Sequence, residues 1–251
     1  MQAIVPAAGE GTRLRPLTAE RPKGLVEVAG RPILTHVFES LRAAGIDDIV
    51  VVVGYRGDDI VDYYVDRFRD VSLTYAWQTE RLGLGHAVSA AGGYVAGDVV
   101  VWNGDNVGDV ALSGLIERRR ATDAAATLLV DEVGRERASE GAVFIVDDGE
   151  VVGVVEKPDA PPSTLIPRGV FVFSDRLFEA LDRIEPSARG EYELTDAIDL
   201  LVAEGARVET VRLDGWLVNV NTTADIERAS ARLDGGPGER ARDEPPNGTD
   251  T

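Results

Sequence analysis

The stretch Ala7-Ala8-Gly9-Glu10-Gly11-Thr12-Arg13-Leu14-Arg15-Pro16-Leu17-Thr18, followed by Arg21-Pro22-Lys23, decides how the rest of this chain is read. It leaves an apolar run, Ala3-Ile4-Val5-Pro6, that reads as a first strand. It then supplies glycines at 9 and 11, a hydroxyl at 12, guanidiniums at 13 and 15 and an ammonium at 23. A backbone that wraps closely around phosphates needs residues without Cβ, and it needs fixed cations to meet the charge. No Lys-Ser/Thr follows Gly11, so this is not the P-loop of kinases and ATPases. Leu14 occupies the third glycine's place of the dinucleotide fingerprint, which sets a nicotinamide-dependent oxidoreductase aside.

The ammonium is unusual. Of the 26 basic residues only two are lysines, Lys23 and Lys157, and each lies against a proline. In a chain that uses arginine almost everywhere else, two retained lysines point to chemistry rather than to surface charge.

Net charge is −18, from 44 acidic and 26 basic residues, a surface that repels nucleic acid and anionic lipid. The run Arg118-Arg119-Arg120 closes a helix-like segment and complements its C-terminal dipole. Abundant acid with few lysines suggests a salt-rich, halophilic cytoplasm. The substrate can still be anionic, because the cations gather in the loops that would bind it. Cysteine is absent, which removes disulfides and thiolate metal sites, and two histidines, His36 and His86, argue against zinc. There is no apolar run of about 18 residues and no basic-then-apolar leader, so a cytoplasmic protein away from membranes is expected. The length allows one large α/β domain or one domain plus a small lobe.

Strand-like and helix-like segments alternate along the first two-thirds. A helix near 32–44 has Pro32 in its first turn and Gly45 at its stop; Ile49–Val53 is a continuous apolar run, as in a strand covered on both faces. A helix near 58–68, a strand near 71–77, a helix near 84–92, the strand Val99–Trp102, a helix near 111–121 and the strand Ala124–Val130 follow. This alternation predicts an α/β fold, Rossmann-like, with an open, mostly parallel sheet between helices on both faces. From 141 the pattern changes: Ala142–Val146, a turn at Asp147-Asp148-Gly149-Glu150 and Val151–Val155 read as a hairpin. A strand Gly169–Phe173, helices near 175–183 and 194–204, a strand near 207–213 and a helix near 223–233 complete the order. Residues 234–251, nearly devoid of apolar side chains, read as a disordered tail.

Ligands of open α/β sheets bind at the carboxyl ends of strands, and three further motifs fall there. Asn103-Gly104-Asp105-Asn106 puts a carboxylate at the tip of 99–102. A lone Asp there often only caps a turn, but beside a phosphate loop Asp105 is a candidate Mg²⁺ ligand, since that ion takes one or two carboxylates plus substrate phosphates. In Gln78-Thr79-Glu80-Arg81-Leu82-Gly83-Leu84-Gly85-His86, an amide can pair with a base edge, and Gly83 and Gly85 let backbone approach a flat ring. Glu156-Lys157-Pro158 sets a carboxylate for sugar hydroxyls beside an ammonium for a sugar phosphate.

These motifs together closely resemble the signature of the sugar-1-phosphate nucleotidylyltransferases, in particular the glucose-1-phosphate thymidylyl- and uridylyltransferases. The resemblance runs over about residues 2–233 in the family's order. It implies a nucleotide-diphospho-sugar transferase fold, one nucleotidyltransferase domain over 1–233 in which about 135–215 contributes a sugar-binding lobe. It implies that Ala8, Gly9, Gly11, Thr12 and Arg13 hold the nucleotide and that Gln78 and Gly83 read the base. Gly141, Glu156 and Lys157 match sugar and sugar-phosphate positions, Gly169 resembles a glycine strand under the sugar, and Glu191 lies in a Gly-Glu-x-Glu-x-Thr-Asp segment near it.

The implied reaction joins a nucleoside triphosphate, UTP or dTTP, to a sugar 1-phosphate, with release of pyrophosphate. Arg13 would stabilise the pyrophosphate, Lys23 the α-phosphate region and Lys157 the sugar phosphate; Asp105 with Asn219 would hold Mg²⁺. One departure stands out. Where the family sets an Asp shortly after a Trp as second metal ligand, Trp216-Leu217-Val218-Asn219-Val220-Asn221 offers only amides, so Asn221 stays open beside Asn219. The missing carboxylate keeps a rival in view, a nucleotide-sugar sensor without turnover. N-acetylglucosamine or mannose 1-phosphate is an alternative to glucose 1-phosphate, and a homo-oligomer is left open.

Overall fold

The computed structural model describes residues 1–235, so all but the first two residues of the expected tail lie outside the described part. In chain order β1 (Gln2–Pro6) enters the glycine loop, where Thr12–Leu14 and Lys23–Leu25 form single 3₁₀ turns. There follow β2 (Glu27–Val28), β3 (Arg31–Pro32), α1 (Ile33–Ala43), β4 (Asp48–Val53), α2 (Gly57–Tyr64), β5 (Arg67–Phe68), β6 (Val71–Trp77) and α3 (Leu84–Ala90). The middle of the chain forms β7 (Val99–Trp102), β8 (Asn106–Val110), α4 (Leu112–Thr122), β9 (Ala126–Glu132) and α5 (Arg135–Ala138). The last part forms β10 (Ala142–Asp147), β11 (Glu150–Glu156), β12 (Leu165–Phe173), α6 (Arg176–Leu181), α7 (Leu194–Ala203), β13 (Val208–Arg212), β14 (Gly215–Asn219) and α8 (Thr223–Leu233).

Ten strands make one sheet in the order β10-β11-β13-β9-β12-β7-β1-β4-β6-β5. β6, β4, β1 and β7 run parallel, β12 runs antiparallel between β7 and β9, and β13 is parallel to β9. The expected mixed, mostly parallel sheet is therefore present. The apolar runs read as doubly covered strands because alternate residues serve opposite cores. Ile4, Val50, Val52, Val99 and Val101 pack with Val88, Leu177, Ile198 and Leu201 of α3, α6 and α7. Ala3, Val5, Ile49, Val51, Val53, Val100 and Trp102 pack with Leu34, Val37, Phe38, Ile60 and Leu115 of α1, α2 and α4. From β1 the chain steps outward through β4 to β6, then returns to β7 on β1's other side. That reversal opens a crevice at the carboxyl ends of β1 and β7.

Three features differ from expectation. The helix expected near 58–68 stops at Tyr64, because Val65 takes a left-handed φ of 57° and Arg67–Phe68 turn back to pair with β6. β12 begins at Leu165 rather than at Gly169, with its register broken between Pro167 and Phe171; a proline inside the run hides such a strand. The third is β8, whose Asn-Val-Gly-Asp-Val reads as loop but pairs antiparallel with β14, Asn106 facing Asn219. This ribbon shares a third core with the glycine loop: Leu14, Val26, Val28 and Ile33 pack with Val107, Val218, Val220 and Ala229. The hairpin turn at Asp148 and Gly149 has both φ values positive, 44° and 84°, as a two-residue turn matched to sheet twist requires.

Candidate active site

A cleft of about 410 Å³ lies at the switch point, lined by Ala8, Gly9, Gly11, Thr12, Arg13, Lys23, Gln78, Arg81, Gly83, Asn103, Asp105, Glu191 and Asn221 among others. Gly11, at φ 66°, starts the turn that carries Thr12 and Arg13. A Cβ there would come within 3.0 Å of the Lys23 side chain, so the loop and the lysine touch through the glycine. Thr18, fully buried, donates its hydroxyl to Gly11 O at 2.8 Å and folds the loop's far end onto its start. Leu14 points into the third core and anchors the loop. At the rim, Glu10 accepts hydrogen bonds from Arg81 and Arg15. The bond from Arg81, then the charge of Arg15, outweigh partial desolvation and hold the Glu10 carboxyl below its ordinary range.

The centre of the cleft is a charge cluster. Lys23 Nζ donates to Asp105 Oδ2 at 2.6 Å and to Asn221 Oδ1 at 2.9 Å, with only 12% of the lysine side chain exposed. Arg13 donates to the same Asn221 oxygen at 2.8 Å, and Asn221 Nδ2 donates to Asn219 Oδ1. Asn221 is held from behind: its backbone N–H donates to Asp225 Oδ2 at 2.9 Å, and Asp225 forms a capping box with Thr222 at the start of α8. Burial pushes the Asp225 carboxyl up, but the N–H bonds from Asn221 and Thr222 and the Arg228 charge carry it below its ordinary value. Asn221 thus meets Asp105 through Lys23, and Asn219, opposite Asn106 in the β8–β14 pairing, is bonded to Asn221; Val220 N–H donates to Asp105 O at 2.9 Å.

A second hollow of about 230 Å³ adjoins the first, with Asn103 and Leu84 lining both. Its wall includes Asn106, Arg137, Glu156, Arg168, Gly169, Glu193, Thr195 and Asn219. Gly169 lies close against the asparagines; a Cβ on it would come within 2.6 Å of the amide nitrogens of Asn103 and Asn106. The Oδ1 atoms of Asn103 and Asn106 are buried without a hydrogen-bond donor. Arg189 bridges Glu193 at 2.7 Å and Glu156 at 3.3 Å. Beside them burial, then the charges of Glu193, Glu156 and Asp199, raise the Asp196 carboxyl above its usual value against the opposing pull of Arg189.

The structure brings Ala8, Gly9, Gly11, Thr12, Arg13, Lys23, Gln78, Gly83, Asp105 and Glu191 to the first cleft, and Glu156, Gly169 and Asn219 to the second. Lys157 and Gly141 line neither. Lys157 is exposed, takes a left-handed φ of 44°, and donates its backbone N–H to Gly141 O at 3.0 Å. Gly83 has a further reason to be glycine besides the ring approach expected of it. With φ 97°, its missing Cβ makes room for Tyr192 O at 2.8 Å and Glu191 Cβ at 2.9 Å, fastening this loop to the 191–193 segment. Arg81, Asn103 and Thr195 sit inside the motifs described above but have no local feature that marks them individually, and exposed Arg137 on α5 lies outside every motif.

An open α/β sheet with a cation-bearing glycine loop at its switch point defines a nucleotide-handling transferase. The chain belongs to the nucleotidyl transferase family, whose model matches residues 2–233. It is 44% identical, over 93% of its length and 96% of the relative's, to the UTP–glucose-1-phosphate uridylyltransferase AglF of Haloferax volcanii. It is 37% identical to the glucose-1-phosphate thymidylyltransferase of Streptomyces griseus, covering 90% of this chain and 64% of that one. Among solved structures, a UDP-glucose pyrophosphorylase from Acinetobacter baumannii superposes with a TM-score of 0.82 at 26% identity, covering 92% of each chain. A UDP-glucose pyrophosphorylase complexed with UDP-glucose matches at 0.83 and 23% identity, a likeness of fold. The family and fold expected from the motifs are borne out.

Proposed function

We propose that the protein transfers a nucleotidyl group from UTP or dTTP to glucose 1-phosphate, releasing pyrophosphate. The observation that carries this reading is the pair of cavities sharing Asn103, the first holding Lys23 between Asp105 and Asn221 with Arg13 adjacent. A triphosphate in the first and a sugar in the second would meet at that shared wall. The sugar phosphate oxygen then bonds to the α-phosphorus as the α–β bridging oxygen leaves with pyrophosphate. No covalent enzyme intermediate is needed, so positioning and charge neutralisation supply the rate.

Roles follow from position. Ala8, Gly9, Gly11 and Thr12 cradle the nucleotide, Arg13 meets the departing pyrophosphate, and Lys23 turns from Asp105 to the α-phosphate region. Gln78 reads the base, beside Gly83. Glu156 and Gly169, in the second hollow, attend the sugar; for Glu191, which lines the first cleft, and for Gly141 and Lys157, which line neither, the sugar and sugar-phosphate roles rest on the resemblance to the family. Asp105 and the amide oxygen of Asn219, or of Asn221, are hard oxygen donors of the kind Mg²⁺ takes, and they fit that ion. Among the described residues no three His, Cys, Asp or Glu side chains converge on one point, so substrate phosphates would complete the shell. Bound Mg²⁺ would neutralise the triphosphate charge. Residues 1–233 would act as one catalytic unit, with 135–215 as its sugar-facing part. Among the described residues no helix is long and apolar enough to cross a membrane; action on free metabolites in a salt-rich cytoplasm is our reading, supported by the net charge of −18.

The test is pyrophosphate release across a matrix of nucleoside triphosphates and sugar 1-phosphates in molar salt. Highest turnover is expected for UTP or dTTP with glucose 1-phosphate. Preference for N-acetylglucosamine or mannose 1-phosphate would move the sugar assignment, and tight binding without turnover of any pair would make the protein a sensor.

A further inference from the structure

Gln78 is 6% exposed and lines the first cleft. Its amide orientation follows from its neighbours. The carbonyl of Gly83 can only accept, so Gln78 Nε2 is the atom that faces it, at 3.0 Å. The same Nε2 lies 3.0 Å from His86 Nδ1. That contact is a hydrogen bond only when Nδ1 carries its lone pair, that is, with neutral imidazole protonated on Nε2. Both amide hydrogens are then used inside the protein, and the one polar group Gln78 has left for a ligand is Oε1.

We propose that His86 is a specificity-determining positioning residue: by taking the second amide hydrogen of Gln78 it leaves the cleft an acceptor and no donor, which selects a pyrimidine bearing N3–H. This rests on the cleft being the nucleotide site proposed above. Presented to ring position 3, an amide oxygen accepts from N3–H of uracil or thymine and opposes the N3 lone pair of cytosine. His86 is well placed to enforce this because its surroundings are fixed. It sits in the first turn of α3, and the loop leading there is tied to the 191–193 segment by Gly85 N–H to Tyr192 O at 2.8 Å and Tyr192 N–H to Leu82 O at 2.7 Å. Turning the amide over would break the bond to Gly83 O and would oblige His86 to move its proton from Nε2 to Nδ1 before the contact with Oε1 could re-form. Without an acceptor at position 86, only the first of those penalties remains.

The experiment measures kcat and KM for UTP and CTP, with glucose 1-phosphate saturating, in wild type, His86→Phe, His86→Asn and Gln78→Leu. Wild type should prefer UTP. His86→Phe, which fills the space but cannot accept, should lower the UTP:CTP ratio of kcat/KM by about tenfold, the loss of one neutral hydrogen bond's discrimination. The change should appear in KM, with kcat for UTP near wild type. His86→Asn, whose amide oxygen can stand where Nδ1 stood, should restore most of the ratio. Each ratio is taken on one preparation, so partial unfolding cancels. An unchanged ratio in His86→Phe, while Gln78→Leu loses the preference, would overturn the role of His86 and leave the base reading intact. A wild type that uses CTP as well as UTP would instead overturn the base reading itself.

Discussion

The two lysines of this chain are held in opposite ways. Lys23 is mostly buried and bonded to Asp105 and Asn221 before any substrate arrives. Lys157 stands exposed at the end of β11, fixed by its backbone but with no side-chain partner among the described residues. The same contrast separates the two cavities. The first cleft draws on the parallel half of the sheet, where the loops after β1, β6 and β7 leave the same edge, and Lys23, Asp105 and Arg13 at its centre are already hydrogen-bonded. The second hollow draws on the antiparallel half, where Arg137 is exposed and Lys157, proposed above to reach the sugar phosphate, stands outside the lining. A preorganised cluster suits charge that develops during reaction, because nothing has to reorganise at that moment. A looser wall suits gripping a substrate before the reaction.

Substitutions can break or sharpen that contrast, and the largest effects belong to the paired cluster. Asp105→Asn should take turnover below detection, since amides alone would leave the triphosphate and its metal without a protein carboxylate. Lys23→Ala should lower kcat by about 100-fold or more, the range for loss of one transition-state donor. Turnover near wild type in either variant would remove the cluster from the chemistry.

Lys157→Ala should behave differently, raising KM for the sugar phosphate by about tenfold or more, as for a charge-assisted bond, with nucleotide binding nearly intact. Equal losses for both substrates would erase the distinction between the two lysines.

Asn219→Asp should lower the Mg²⁺ concentration giving half-maximal rate by severalfold, because a second carboxylate adds charge to a carboxylate-poor shell. If the Mg²⁺ titration does not move, Asn221, already bonded to Lys23 and Arg13, is the next position to change.

Smaller effects concern the whole fold. With a net charge of −18, unscreened self-repulsion should depress the melting temperature as KCl is withdrawn, as the Debye length grows from ~3 Å at 1 M to ~10 Å at 0.1 M. A melting temperature that is flat or rises on desalting would contradict the halophilic reading. The smallest effect belongs to His36, buried on α1 beside Val28 O at 2.9 Å. Burial is the chief cause that lowers its pKa from the ordinary 6.5. The unfolded chain therefore binds the proton more readily than the folded one, so this group's stability contribution is complete above pH 6.5 and fades as pH falls through the lower folded value. Urea midpoints measured from pH 7.5 downward should decline more steeply in wild type than in His36→Gln.

Much of this protein was legible before any coordinates. The loop from Ala7 to Lys23, the doubly covered strands at 49–53 and 99–102 and the hairpin at 142–155 are local patterns, and local physics reads them: glycine and cation for phosphate, continuous apolar runs for buried strands, paired Asp-Gly for a tight turn. What the sequence by itself determined was the mostly parallel sheet and the residue types facing a phosphate. What only the tertiary structure decided was which of them meet. Asn221 comes to Arg13 and Lys23 across about two hundred residues of chain, because β8 pairs with β14 and because Leu14, Val107 and Val220 share one small core. β8 has the composition of a loop and becomes a strand through its partner, since pairing and burial outweigh propensity in short strands. The tie between Gln78 and His86 is likewise invisible in spacing alone: an eight-residue separation says nothing of a hydrogen bond until the turn at Gly83 folds helix α3 back over the end of β6.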